Sequence, residues 1–135
     1  MTLGDIMTRH LMMVRMDDPL RVVQFKLDKG GIHHLLVMDG ATLVGIISDR
    51  DLLRAVSPYV DTLSERERDR RTLEKRAHRI MSRHLITAHR DMLIDEAALL
   101  MLEKDISCLP ILDEEGGLEG IVTWRDLLRY YASNP

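Results

Sequence analysis

The chain has 135 residues with 45% hydrophobic and 30% charged side chains, and 19 Lys and Arg against 22 Asp and Glu give it a formal net charge of −3. That length suits one ordinary domain with a real core, and that composition is globular rather than disordered. The charge balance excludes an overall basic field for nucleic acid or an anionic membrane, and the single cysteine, Cys108, excludes an internal disulfide and a thiolate metal cluster.

In chain order, Met1 to Val14 contains Asp5, Arg9 and His10, so neither a signal peptide nor a membrane span is expected there. Together with the lone cysteine this predicts a cytoplasmic protein. A short strand is expected at Met12 to Met16, then a helix from about Pro19 to Lys29. Pro19 suits a first helical turn, and Val22, Val23 and Leu27 mark an apolar face. Gly30-Gly31 ends that helix. Leu35 to Met38 and Leu43 to Ser48 read as two strands joined at Asp39-Gly40, a strong hairpin signal. A closing helix begins at Asp51-Leu52-Leu53-Arg54.

Ser57-Pro58 stops this first block, and Thr62-Leu63-Ser64-Glu65 has the pattern of a capped helix start. The mixed-charge run Glu65 to Arg71, continued by Glu74-Lys75-Arg76, fits a solvated helical linker better than a basic docking surface, because acidic residues interrupt it throughout.

The pattern then begins again. Ile80-Met81-Ser82-Arg83-His84-Leu85 repeats Ile6-Met7-Thr8-Arg9-His10-Leu11 at a spacing of 74 residues, and the spacing becomes 75 after the longer turn Glu114-Glu115-Gly116-Gly117. A strand at Ile86 to His89, a helix from about Leu93 to Lys104 with Ala97, Leu100 and Met101 inward, and strands at Leu109 to Leu112 and Leu118 to Thr123 come next. Each copy reads β-α-β-β-α. One such unit buries too little surface to stand alone, so the expectation is an α+β fold of two pseudo-symmetric repeats with a core between them.

The most specific repeated stretch is Gly45-Ile46-Ile47-Ser48-Asp49-Arg50-Asp51, matched by Gly120-Ile121-Val122-Thr123-Trp124-Arg125-Asp126. A strand-to-helix turn of this kind gathers a hydroxyl, free N–H groups and a carboxylate within one helical turn. The donors suit phosphate and the carboxylate suits a diol. The same spacing also makes an ordinary capping box.

Two such units, each opened by Ile-Met-Thr/Ser and closed by Gly-hydrophobic-hydrophobic-Ser/Thr-x-x-Asp, resemble a tandem pair of CBS domains, the Bateman module. The resemblance covers nearly the whole chain and divides it into a first CBS repeat at 1–56, a charged helical linker at 57–77, a second repeat at 78–132 and a tail at 133–135. It implies a non-enzymatic regulatory module that binds an adenine nucleotide, AMP, ADP or ATP, or else S-adenosylmethionine, with no metal required. It also implies a homodimer that serves energy sensing toward a regulated protein.

Carried over residue by residue, the resemblance assigns Asp51 and Asp126 to ribose hydroxyls and Ser48 and Thr123 to the phosphate side. The threonine of the first strand matches Thr87, whereas the first repeat has Met13 there. Ile32-His33-His34 and Ile106-Ser107-Cys108 flank the base. Two non-equivalent sets result: Ser48 and Asp51 with Thr87, Ile106 and Pro110, and Thr123 and Asp126 with Met13, Ile32, His33 and His34. Arg50 and Arg125 stand beside the motifs, where they could meet phosphate or simply solvent.

Other conspicuous residues have plainer readings. His33 and His34 are strand neighbours that point to opposite faces and cannot chelate one ion together. Met7, Met81 and Met101 fall on apolar positions and read as core filler. Trp124 reads as surface cover before base stacking, and Cys108 as an unreactive core thiol. No nucleophilic catalytic set is legible. A nucleotide hydrolase using a motif aspartate, and nucleic-acid binding through Arg66 to Arg76, are the competing functions.

Overall fold

A computed structural model describes residues 1–134, so that of the expected 133–135 tail Pro135 lies outside the described residues. The elements in chain order are α1 (Leu3–Ile6), β1 (Met13–Arg15), α2 (Leu20–Gly30), β2 (His34–Asp39), β3 (Thr42–Ser48), α3 (Asp49–Ala55), α4 (Glu67–Arg71), α5 (Ile94–Lys104), β4 (Cys108–Leu112), β5 (Leu118–Thr123) and α6 (Trp124–Ser133). The fold is α+β, and the chain divides into two compact units, Met12–Leu85 and Met1–Leu11 together with the chain from Ile86 on.

In the Met12–Leu85 unit, β1 runs parallel to β2, and β2 pairs antiparallel with β3, with Met13 opposite Leu36 and His34 opposite Ser48. Helix α2 comes after Pro19, whose fixed φ suits a helix start, and buries Leu20, Val23 and Leu27 at helical spacing. It ends where Gly31 adopts the left-handed conformation (φ 58°) that a glycine takes without Cβ strain. Val14, Leu35, Val37, Ile47 and Leu52 complete this core with Ala77 at the end of the expected linker and Met81 just after it.

The linker is only partly helical. Thr62–Glu65 does not start a helix: the Thr62 hydroxyl donates to the Tyr59 carbonyl at 2.6 Å, and the Glu65 carboxylate accepts from the Asp61 N–H at 3.0 Å, which closes a turn instead. Helix α4 begins at Glu67, where Asp69 accepts from the Arg66 N–H at 2.8 Å. The Asp69 side chain also accepts from the Ser57 hydroxyl at 2.8 Å, so a carboxylate only 8% exposed pins the start of the linker to α4.

In the second unit β4 pairs antiparallel with β5, with Cys108 opposite Thr123. The strand expected at Ile86 to His89 is reduced to one parallel bridge between Ala88 and Ile111. Ala88 stands where the first repeat has Val14. The smaller side chain has lower strand propensity and less to pack, so the extended stretch does not propagate. Helix α5 buries Ile94, Ala97 and Met101 and ends at a left-handed Asp105 (φ 52°), the counterpart of Gly31.

The opening motifs pack in an unexpected place. Thr8 makes a reciprocal pair of backbone bonds with Ile121 (2.9 and 3.0 Å), and Met7 lies against Gly120. Ser82 does the same with Ile46 (2.8 and 3.1 Å), with Met81 against Gly45. Each Ile-Met-Thr/Ser segment therefore lines the hairpin of the other repeat. As a result each unit has its own core, one holding Met7 and the other Met81, instead of the single core expected between the repeats.

Candidate ligand-binding site

In the Met12–Leu85 unit the hairpin delivers His33, His34, Ser48, Arg50 and Asp51 to one corner. Ser48 caps α3: its Oγ accepts from the Asp51 N–H at 3.1 Å, and its own N–H donates to Asp51 Oδ2 at 2.8 Å. The capping box expected from the sequence is thus formed, and the carboxylate is held in place by it. His34 is half-buried opposite Ser48, and burial holds its imidazole below the usual histidine range against the opposing pull of Asp49. The exposed His33 joins the same corner, with Nδ1 2.8 Å from Asp49 Oδ2. That hydrogen bond holds the Asp49 carboxyl below its ordinary value.

Ile32 lies just before β2, its N–H bonded to the Leu27 carbonyl. Met13 is set apart from this corner, opposite Leu36 on β1, and its carbonyl accepts from Lys26 Nζ at 2.7 Å. Arg50 is exposed.

In the second unit Thr123 and Asp126 repeat the carboxylate half of the arrangement at the start of α6, with no N–H among the described residues bonded to the Thr123 side chain. Asp126 Oδ2 accepts from the Thr123 N–H at 2.8 Å and from its hydroxyl at 3.2 Å, and Oδ1 lies 3.3 Å from Arg129 Nη1. Ile106, half-buried, precedes β4, and the neighbouring Ser107 carbonyl accepts from the Trp124 N–H, which ties that segment to the motif. Thr87 is exposed and adjoins Ala88, whose N–H donates to the buried Pro110 carbonyl at 3.0 Å. Thr87 and Pro110 are therefore neighbours.

Trp124 is 45% exposed, and the Arg125 guanidinium lies over it, 5.2 Å from the ring centroid, so the indole lies at the surface. Cys108 is buried, and burial pushes its thiol up to about 12, far from the range of a nucleophile. Met7, Met81 and Met101 are buried core residues as expected.

Two contacts escaped the sequence reading. The His33–Asp49 pair was available from the hairpin register, since pairing Leu35 with Ile47 brings the strand ends together. The Asp126–Arg129 pair was available from its three-residue helical spacing. Chemically, each motif corner offers an anchored carboxylate, a hydroxyl and flanking cations, and the first adds the two imidazoles of His33 and His34.

The CBS domain profile matches residues 3–58 and 77–133. A CBS domain-containing protein of Dictyostelium discoideum is 40% identical over 129 residues, which cover 91% of this chain and 86% of that protein. The CBS domain pair of protein MJ0100, solved with 5′-methylthioadenosine and S-adenosyl-L-methionine, superposes with a TM-score of 0.83 at 27% identity, covering 100% of this chain and 98% of that one. CBSX2, solved with AMP, gives 0.79 at 28% identity over 98% and 96% of the two chains. The chain belongs to the CBS domain family and carries two CBS repeats. No helix among the described residues is long and apolar enough to cross a membrane.

Proposed function

We propose that the chain is a non-enzymatic regulatory module that binds an adenine nucleotide, AMP, ADP or ATP, through the two Ser/Thr–Asp turns. The observation that carries this reading is the duplication of geometry. At both turns the motif N–H donates to the aspartate Oδ2 at 2.8 Å, so each carboxylate is oriented before any ligand arrives. A preoriented carboxylate accepts from vicinal hydroxyls at little further ordering cost. Ser48 and Thr123 supply phosphate-side hydroxyls, Arg50 and Arg125 supply nearby positive charge, and Ile32, His33, His34, Ile106, Pro110, Thr87 and Met13 contact the base and sugar.

The adenosine compounds held by structures of the same fold support this reading. One of them also favours a second reading, in which the ligand is S-adenosylmethionine or its thioether product.

The module works by population shift: a ligand that prefers one conformation transmits its presence to a partner. We place it in the cytoplasm, in energy sensing, as a homodimer acting on a separate regulated protein. Dimerisation would cover Leu53 and Phe25, and Leu128, Leu99 and Tyr131, which are exposed on the helices.

The test uses asparagine at the motif, because Asn keeps an oxygen for the cap but loses the charge that binds a diol. Asp51→Asn and Asp126→Asn should each leave the unliganded melting temperature within about 2 °C. Each should weaken AMP by roughly 1.5–3 kcal/mol at its own site, as for hydrogen bonds to a charged group. Full retention of the AMP-induced shift in both variants would reduce the motif to a helix cap.

A further inference from the structure

We propose that Arg129 makes the Asp126 site selective for adenosine ligands that carry an anionic 5′ substituent, against neutral thioether or cationic sulfonium forms. The inference rests on the proposal that Asp126 meets the ligand's hydroxyls.

Asp126 and Arg129 share the lining of a concavity of about 300 Å³ with Ile6, Tyr130 and Ser133. That volume is at the lower end of small-molecule sites. The two partners differ sharply in exposure: the Asp126 side chain is 11% exposed and the Arg129 side chain 74%. Asp126 Oδ2 is already engaged by both Thr123 donors, so Oδ1 is the oxygen that a diol must use, and it is the one that Arg129 Nη1 approaches at 3.3 Å.

An incoming ribose therefore competes with Arg129 for one oxygen. The guanidinium yields easily, because it is itself largely in water and a 3.3 Å pair three residues apart on a helix is weak. Its next partner is set by the charge of the ligand. A phosphate offers the displaced guanidinium a new, bidentate contact within the same concavity. A thioether offers none, and a sulfonium places a second positive charge beside it. The selectivity comes from the penalty on the wrong ligand as much as from attraction to the right one.

The experiment titrates wild type, Arg129→Gln and Arg129→Lys with AMP and with 5′-methylthioadenosine. It monitors the fluorescence of Trp124, the sole tryptophan, which adjoins Thr123. Arg129→Gln should weaken AMP by about 3- to 10-fold while 5′-methylthioadenosine stays within about 2-fold, and Arg129→Lys should restore part of the preference. The AMP preference of the wild type should also shrink as salt rises. Equal weakening of both ligands, or an unchanged AMP affinity, overturns the assignment while leaving the sensor reading intact. A wild type that binds neither compound overturns this assignment, and the sensor reading falls with it only if ADP, ATP and S-adenosylmethionine also fail to bind.

Discussion

Replacing the two repeat-equivalent glycines, Gly45 and Gly120, by alanine should give unequal losses of stability. At Gly45 a Cβ would meet Met81 Sδ at 2.5 Å, Cγ at 2.8 Å and Cβ at 3.0 Å. A change of Met81 rotamer relieves the Sδ and Cγ contacts, and the Cβ contact at 3.0 Å needs only a small shift of the segment. The cost should sit near the low end of the overpacking range, about 1–2 kcal/mol. At Gly120 a Cβ would meet Met7 Sδ at 2.8 Å but also the Thr8 carbonyl oxygen at 2.9 Å. A backbone atom cannot step aside by changing rotamer, so relief there breaks the reciprocal Thr8–Ile121 bonds of 2.9 and 3.0 Å. Two such bonds at about 0.5–1.5 kcal/mol each, added to the overpacking, give roughly 2–5 kcal/mol. For a chain of this length that is a fall in Tm of the order of 8–20 °C for Gly120→Ala, against about 4–8 °C for Gly45→Ala. Urea and thermal melts measure both. Adding Met81→Ala to Gly45→Ala should cost less than the sum of the single changes, because the new methyl occupies vacated volume. Equal losses at the two glycines, or additive behaviour of the double variant, would refute the packing described for the opening motifs.

Acid should destabilise the protein in two stages. Burial holds His34 below its ordinary value of 6.5, so between that value and its folded one the unfolded chain binds more protons, and stability falls as pH drops below about 6.5. The Asp49 carboxyl, lowered by its hydrogen bond with His33, contributes stability above its ordinary value of 3.8 that is lost as pH falls through its folded value. Thermal melts between pH 3 and 8 should show both declines, and His34→Gln should abolish the first; a melting temperature that rises from pH 7 to 5.5 would contradict the sign. Asp69→Ala should release Ser57 from α4 and speed proteolytic cleavage between 57 and 66, whereas unchanged cleavage would mean that this carboxylate does not hold the linker.

Much of this was legible in the sequence because symmetry doubled each signal. Ser48 with Asp51 and Thr123 with Asp126 each read as a turn with two meanings, and in both the aspartate accepts from the motif N–H, while only Ser48 also accepts from the aspartate's own N–H. Gly31 and Asp39-Gly40 marked a helix end and a hairpin by conformational requirement, and both carry positive φ where expected, at Gly31 and Gly40. The partner of each opening motif was not legible. Met7 and Met81 are equivalent by spacing, so either could have packed on its own hairpin. The choice depends on contacts across more than a hundred residues in the case of Met7 and Gly120, which local periodicity does not encode. The missing strand at Ile86 to His89 turned on Ala88, a single small residue inside an otherwise strand-like stretch.

The most direct measurement is calorimetric titration of the purified chain with AMP, ADP, ATP, 5′-methylthioadenosine and S-adenosylmethionine, with the recovered ligand checked by chromatography. Saturable binding of at least one adenine nucleotide is expected, reduced by Asp51→Asn and Asp126→Asn, with the nucleotide recovered unchanged. The absence of heat and of any melting-temperature shift with all five compounds at millimolar concentration, or steady conversion of the nucleotide, would contradict it.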